Sequence, residues 1–378
     1  MARHVHIGMI GAGFIGRCHA LGYRAMPTVF PEASAIPVLD VVCEIDERTA
    51  AAAARRLGFH RHVTDWRQLV EDPAVAVVDV CVPSHLHKRI ALAAIAAGKD
   101  VYCEKPVGLS GGEASEIAQA AAGAGVRSLV GYSYLRNPVV GLVRKLIGEG
   151  ALGDIVHFRG AHNEDYLADP AAPFTWRCDP SIAGAAGALG DLGGHIVSLA
   201  RALVGEFAAV CGTARTVIGE RPVAPGSRER RSVGNDDEAQ FLVAFRSGAT
   251  GHIEASRIAT GSKMDITYEI VGTRGQVRFD GERMNELRLY TDRDPADRRG
   301  FRTILTGPAH PPYGRFVPGA GHQLGFNDHK VIEVYELMEL IGAGRPASPD
   351  LAEAARIGRI LDGVLESSRR RAWVHIYG

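Results

Sequence analysis

Residues 5–16 read VHIGMIGAGFIG, an apolar run that ends in Gly11-Ala12-Gly13-Phe14-Ile15-Gly16 and opens a helix-like segment. Strand, glycine-rich turn and helix N-terminus, in that order, are the setting a dinucleotide fingerprint requires. Gly11 permits the tight turn, Gly13 lets pyrophosphate approach the backbone, and Gly16 lets helix and strand pack closely. The helix N-terminus, with Phe14 and Ile15 at its start, attracts the negative phosphates. An ordinary glycine turn is the competing reading, and the flanking strand and helix favour the fingerprint.

Outward from this stretch, β-branched runs at residues 5–10, 38–45, 77–82 and 100–103 alternate with helix-like segments at 47–57, 66–71 and 88–97. That rhythm predicts a parallel, doubly wound α/β domain of Rossmann type over residues 1–130, with a further strand at 126–132 and a helix at 138–150 after it. Glu44, at the end of the second strand, is the acid expected on the adenosine ribose, and its charge favours NAD over NADP. It lies further from the glycines than usual, which an inserted loop at 27–37 explains. Asp46 is the rival acid, and its place beside Glu47 and Arg48 also suits a helix cap.

Residues 131–378 change character. Strand-like runs at 154–161, 208–217, 238–245, 250–256, 266–272, 276–280 and 286–291 are separated by short turns such as RSGAT and TRGQ. They predict an α+β domain on a largely antiparallel open sheet, expected to bind substrate and to mediate assembly. Residues 219–234 read as a solvated loop, 306–325 as a long proline-containing arm, and 351–371 as a closing helix.

Two domains are expected because the 378-residue chain exceeds the size at which one core stops growing. Lys plus Arg and Asp plus Glu number 43 each, so no net field draws nucleic acid or an anionic membrane. No apolar run has the length of a membrane span, and the start leaves no room for a signal peptide, so a cytoplasmic location is expected. The six cysteines show no CxxC pair, which argues against disulfides and structural zinc. The expected partner is a small molecule.

Glu104-Lys105-Pro106 follows the strand at 100–103, placing Lys105 at the carboxyl edge of the parallel sheet, where ligands bind in such folds. Alcohol oxidation needs a group to take the hydroxyl proton, and lysine suits that task when partly desolvated. From position alone a surface lysine reads the same way. In GALGDLGGH (187–195), Asp191 and His195 stand four residues apart and share one face of a helix that begins there. A proton relay and a helix cap beside a packed histidine both fit. His85 and His87 lack further ligands at metal-binding spacing, so no metal is expected, and they read as loop residues near the nicotinamide.

Together with GAGFIG, the stretches CVPSHLHKRIALAAIAAGKDVYCEKPVGLS (81–110) and GALGDLGGH make the chain resemble the Gfo/Idh/MocA oxidoreductases over almost its whole length. The resemblance implies NAD or NADP as hydride carrier, Lys105 as catalytic acid/base, His195 in proton transfer beside it, and Asp191 orienting both. It also implies cofactor contacts from Pro83, Ser84, His87, Glu104 and Lys105, and a homotetramer formed through the open sheet. Ser198 replaces the second acid of a frequent HxxD continuation. The stretches DYLADPAAPFTWR (165–177), SIAGAAGALGD (181–191) and DPADRRGFRTILTGPAHP (294–311) resemble the branch acting on levoglucosan, scyllo-inositol and L-glucose. That branch implies substrate contacts from Tyr134, Glu164, Trp176, Arg177 and His322 beside Lys105, Asp191 and His195, although Trp176 next to Phe174 also reads as core. The expected reaction is NAD-dependent oxidation of a secondary hydroxyl of a cyclic polyol or sugar, an inositol or a pyranose such as levoglucosan. A glycoside hydrolase using transient oxidation by bound NAD and a non-catalytic NAD sensor are the alternatives.

Overall fold

The computed structural model describes residues 3–377. Two compact units result: the chain up to Arg136 with Gly325–Arg356, and Asn137–Leu324 with the chain from Ile357 on. In the first, β1 (Arg3–Ile10), β2 (Ala35–Cys43), β3 (Arg61–Val63), β4 (Val77–Val80), β5 (Asp100–Cys103) and β6 (Ser128–Val130) form one sheet. Its order is β3-β2-β1-β4-β5-β6 and every pairing is parallel. All four residues of both β4 and β5 are buried, as strands covered on both faces require. The intervening helices are α1 (Phe14–Val29), α2 (Glu47–Leu57), α3 (Trp66–Glu71), α4 (His87–Ala96) and α5 (Gly111–Ala124). Asp46 caps α2 by accepting from the Thr49 N–H at 3.0 Å, which settles its role locally.

The second unit holds α6 (Pro138–Gly148), α7 (Pro180–Ala183), α8 (Gly194–Leu203) and strands β7 (Ile155–Asn163), β8 (Phe207–Arg215), β9 (Glu220–Pro222) and β10 (Arg230–Ser232). It continues with β11 (Glu238–Phe245), β12 (Thr250–Ser256), β13 (Asp265–Gly272), β14 (Gly275–Asp280), β15 (Glu286–Thr291), β16 (Arg302–Leu305) and β17 (Val374–His375). Nine of these form a sheet in the order β16-β15-β14-β13-β7-β12-β11-β8-β17. Only β7 and β12 run parallel, so the sheet is largely antiparallel, as expected.

Three stretches differ from the sequence expectation. The extra residues before Glu44 are not a loop: α1 runs on to Val29 with Pro27 in its last turn, and β2 begins at Ala35. Residues 219–234 contain the β9–β10 hairpin, and Arg221 is wholly buried, donating to the Leu167 and Asp169 carbonyls at 2.6 and 2.9 Å. A guanidinium with main-chain acceptors can be interior, so arginine content misreads Arg221, while most of the segment is exposed as expected. The helix α9 (Phe326–Ala343) falls in a stretch to which the residue pattern assigns nothing. It brings the chain back to the first unit ahead of α10 (Leu351–Arg370), a return that a single boundary at residue 130 does not provide for. The arm at 306–325 contains one short turn, Tyr313–Arg315. Asn285 holds both its ends, with its carbonyl accepting from the Thr306 N–H at 2.8 Å and its side chain bonding Leu324.

Among the described residues, no helix is long and apolar enough to cross a membrane. All six thiols are free, and five of them are buried.

On α9, His329 is 1% exposed and neither ring nitrogen has a hydrogen-bond partner among the described residues. Burial drives its pKa down to about 4, so the fold admits only the neutral ring. Because the unfolded chain takes up this proton first, the stability tied to His329 is complete above the ordinary histidine pKa and is lost as pH falls toward 4. Relative to pH 7.5, wild type is expected to lose about 2 kcal/mol at pH 5 through this residue. His329→Leu should remove that component, as read by urea unfolding at both pH values. An unchanged difference between the two would show that the site tolerates the charge.

Candidate functional site

The turn after β1 follows from close contacts. Gly11 has φ +95°, and a Cβ there would lie 2.5 Å from the Cys81 carbonyl oxygen; at Gly16 it would lie 2.2 Å from that of Gly11. At Gly13, by contrast, it would meet nothing within 4 Å. Gly13 is also the N-cap of α1, which has no side-chain cap and no acid in its first turn. The free N–H groups and positive dipole end of α1 therefore face open space, as a pyrophosphate requires. Phe14 is exposed and Ile15 half-buried beside it. Glu44 comes to this turn despite its distance in sequence, its Oε1 accepting from the Ala12 N–H at 2.6 Å. These residues fit a dinucleotide: a phosphate cradle with a carboxylate at its edge for the ribose hydroxyls.

Further along the carboxyl edge of the sheet, Pro83 and Ser84 follow β4. His87 is buried, with Nδ1 2.7 Å from the Pro106 carbonyl and Nε2 2.7 Å from that of Val82. It braces the two loops, whereas His85 is exposed. Lys105 is half-buried after β5, and its N–H donates to Glu104 Oε2 at 3.1 Å. Tyr134 lies 6.1 Å from the Phe326 ring, which in turn stacks 6.3 Å from Phe14.

Behind Glu104 lies a charged cluster that no motif announces. His19 Nδ1 is 3.0 Å from Asp79, and its Nε2 is 3.0 Å from Glu104 Oε1. Two carboxylates need two donors, so His19 is an imidazolium; burial alone would lower its pKa, and Asp79 raises it instead. Lys330 Nζ donates to Glu104 Oε1 at 2.6 Å and to Glu333 Oε2 at 2.9 Å. Burial favours a neutral Glu104, but Lys330 and His19 hold it far below the ordinary carboxylate range. Among the described residues, His19, Asp79 and Cys81 alone have metal-ligand spacing. Their atoms are turned on one another, with Cys81 Sγ 3.3 Å from both His19 and Asp79. Helix α9 also carries Asp328, Glu336 and Glu339, so no residue pattern singles out Lys330 and Glu333.

In the second unit, GALGDLGGH forms a wide turn over Leu189–Gly193 before α8. Such π-type turns recur at functional sites and break the simple four-residue alignment. Asp191 stays half-buried and His195 is buried. Asp191 Oδ2 accepts from Arg177 Nε at 3.1 Å and from the Tyr166 hydroxyl at 2.9 Å. The Arg177 guanidinium lies 4.5 Å over the Trp176 ring, so Trp176 serves this cluster rather than the core. Glu164 Oε1 is 3.4 Å from His162 Nε2, and the His162 ring is 5.6 Å from that of His195. Five expected residues thus fall in two groups, Asp191, Arg177 and Trp176 with Tyr166, and Glu164 and His195 with His162; sequence reasoning missed Tyr166 and His162, and His322 stands apart and exposed. Its carbonyl accepts from Tyr313.

Asn235, Asp236 and Asp237 support the cluster. Asp236 accepts from the Gly187 and Leu189 N–H groups at 2.6 and 2.8 Å. Arg257, paired with Asp237 at 2.9 Å, donates to the Arg177 carbonyl at 3.0 Å. A run of three polar residues ahead of β11 was the available signal.

Residues 5–132 match the oxidoreductase family with NAD-binding Rossmann fold, and residues 140–278 match the GFO/IDH/MocA C-terminal domain. Levoglucosan dehydrogenase of Pseudarthrobacter phenanthrenivorans is 41% identical, over 99% of this chain and 98% of its own. A solved levoglucosan dehydrogenase in complex with NADH and levoglucosan superposes with a TM-score of 0.95 at 42% identity over the whole of both chains. Inositol 2-dehydrogenase of Acidothermus cellulolyticus is 31% identical over 74% of each chain.

Proposed function

From the premise that the chain belongs to the Gfo/Idh/MocA family of oxidoreductases, we propose an NAD-dependent dehydrogenase that oxidises a secondary hydroxyl of a pyranose or cyclic polyol, levoglucosan first among them. The observation that carries this reading is the open phosphate cradle at Gly13 with Glu44 at its edge, in a chain that also holds the Asp191–Arg177–Tyr166 cluster. When bound, NAD supplies the hydride acceptor. The residues of the chain manage the proton and the ring. Lys105 Nζ takes the hydroxyl proton, and His195 assists its transfer. Asp191 is held by two donors on one oxygen, which leaves its carboxylate fixed in direction for a sugar hydroxyl. Trp176 offers an apolar face to the ring, while Arg177, Glu164 and Tyr134 read its hydroxyl stereochemistry.

The first unit, residues up to 136 with 325–356, is assigned to the cofactor, and the second to substrate and assembly. A homotetramer is proposed through the open nine-stranded sheet, where Leu242 and Val156 are exposed. A cytoplasmic location suits six unpaired thiols.

The test is reduction of NAD and of NADP, followed by absorbance, across levoglucosan, inositols, D- and L-glucose and galactose. NADH is expected with one of these, with NAD preferred about tenfold or more because Glu44 repels a 2′-phosphate. Silence across the panel would sink the reading, and glycoside cleavage without net NADH would identify transient oxidation instead.

A further inference from the structure

We infer that Lys330 is a positioning residue for Lys105, acting through Glu104. Lys330 lies on α9, far along the chain from the Glu104-Lys105-Pro106 loop, and is wholly buried. Its Nζ contacts Glu104 Oε1 at 2.6 Å, while Glu104 Oε2 accepts the Lys105 N–H at 3.1 Å. One carboxylate therefore joins the ammonium to the backbone of the proposed base.

Two further observations show that this carboxylate has one place to be. A Cβ at Gly131 would lie 2.3 Å from Glu104 Oε1, so the main chain just past β6 meets the carboxylate without a side chain between them. His19 closes Oε1 from a second side at 3.0 Å. On the far side of the loop, the Pro106 carbonyl lies 2.7 Å from His87 Nδ1. The Lys105 N–H is thus held by a carboxylate that Lys330 and the His19 imidazolium together keep ionised. Glu104 would otherwise be a buried acid, a weaker acceptor for the Lys105 N–H. Lys330 needs no contact with substrate for this.

The inference rests on the dehydrogenase reading, and its test uses the substrate found by the panel above. Lys330→Gln keeps a donor of similar reach but removes the charge. With enzyme concentration counted as NADH-binding sites by fluorescence titration, kcat is expected to fall about tenfold or more, with KM for the sugar within about threefold. Glu104→Gln should cost a similar factor, and the double variant should be no slower than the worse single one, as residues acting in one chain require. Lys330→Arg, which restores the charge, should recover most of the loss. A purely structural lysine would lower the unfolding temperature yet leave kcat per NADH site within about twofold, and that result overturns the inference. So does a multiplicative double variant. Should Lys330→Gln yield no folded protein, Glu104→Gln alone decides: an unchanged kcat overturns the inference, and a tenfold loss supports it. Absence of any turnover by wild type would instead count against the dehydrogenase reading itself.

Discussion

In the Lys105→Ala protein, kcat is expected to fall about 10³-fold, the range that loss of a positioned general acid/base produces. NADH binding should stay within about fivefold, because the phosphate cradle around Gly13 and Glu44 is untouched. The folded state should tolerate the change as well: Lys105 is only half-buried, and the clamp that holds its backbone uses the N–H of residue 105, which alanine retains. Loss of rate with retained folding and cofactor binding would locate the proton-transfer function in the ammonium side chain. Partial recovery by a small primary amine added to the assay would strengthen that assignment. Retention of more than about a tenth of the wild-type kcat would refute it and shift the base to His195.

The parts of this molecule that the sequence made legible are those whose cause is local. Residues 47–57 and 238–245 are predicted to the residue, because an amphipathic helix capped by Asp46 and an alternating strand each carry their period within a dozen positions. GAGFIG is legible for the same reason, since the turn and helix start are adjacent in the chain. Lys330 and Glu104 are not, because 226 positions separate them and neither residue type signals burial. A lysine or glutamate reads as surface until its partner is known. Arg221 misleads in the same way, being interior only because the Leu167 and Asp169 carbonyls face it. At the candidate site, Asp191 and Arg177 are both visible as motif residues, but Tyr166, which shares the same carboxylate oxygen, carries no pattern of its own.

The three fingerprint glycines should separate into two classes when each is changed to alanine. Gly16→Ala forces a Cβ to 2.2 Å from the Gly11 carbonyl oxygen, a backbone atom that cannot swing away, so α1 must shift from β1. Gly11→Ala adds a left-handed backbone penalty at φ +95° to a 2.5 Å approach to the Cys81 carbonyl oxygen. Both variants are expected to lose about 2–3 kcal/mol of stability in the absence of cofactor. Gly13→Ala differs, since its extended backbone (φ −66°) accepts alanine and its Cβ meets no protein atom within 4 Å. The cofactor-free Gly13→Ala protein should unfold at the wild-type temperature and yet bind NADH about 30-fold or more weakly, because the methyl occupies the space the pyrophosphate needs. Thermal unfolding without NADH and fluorescence titration with it read the two effects independently. Wild-type NADH affinity in Gly13→Ala would mean that the pyrophosphate does not pass over this turn, and the fingerprint would then be a structural glycine turn after all. Wild-type stability in Gly16→Ala would mean that α1 can slide along β1 at little cost, which the buried contacts of Cys18, His19 and Ala20 oppose.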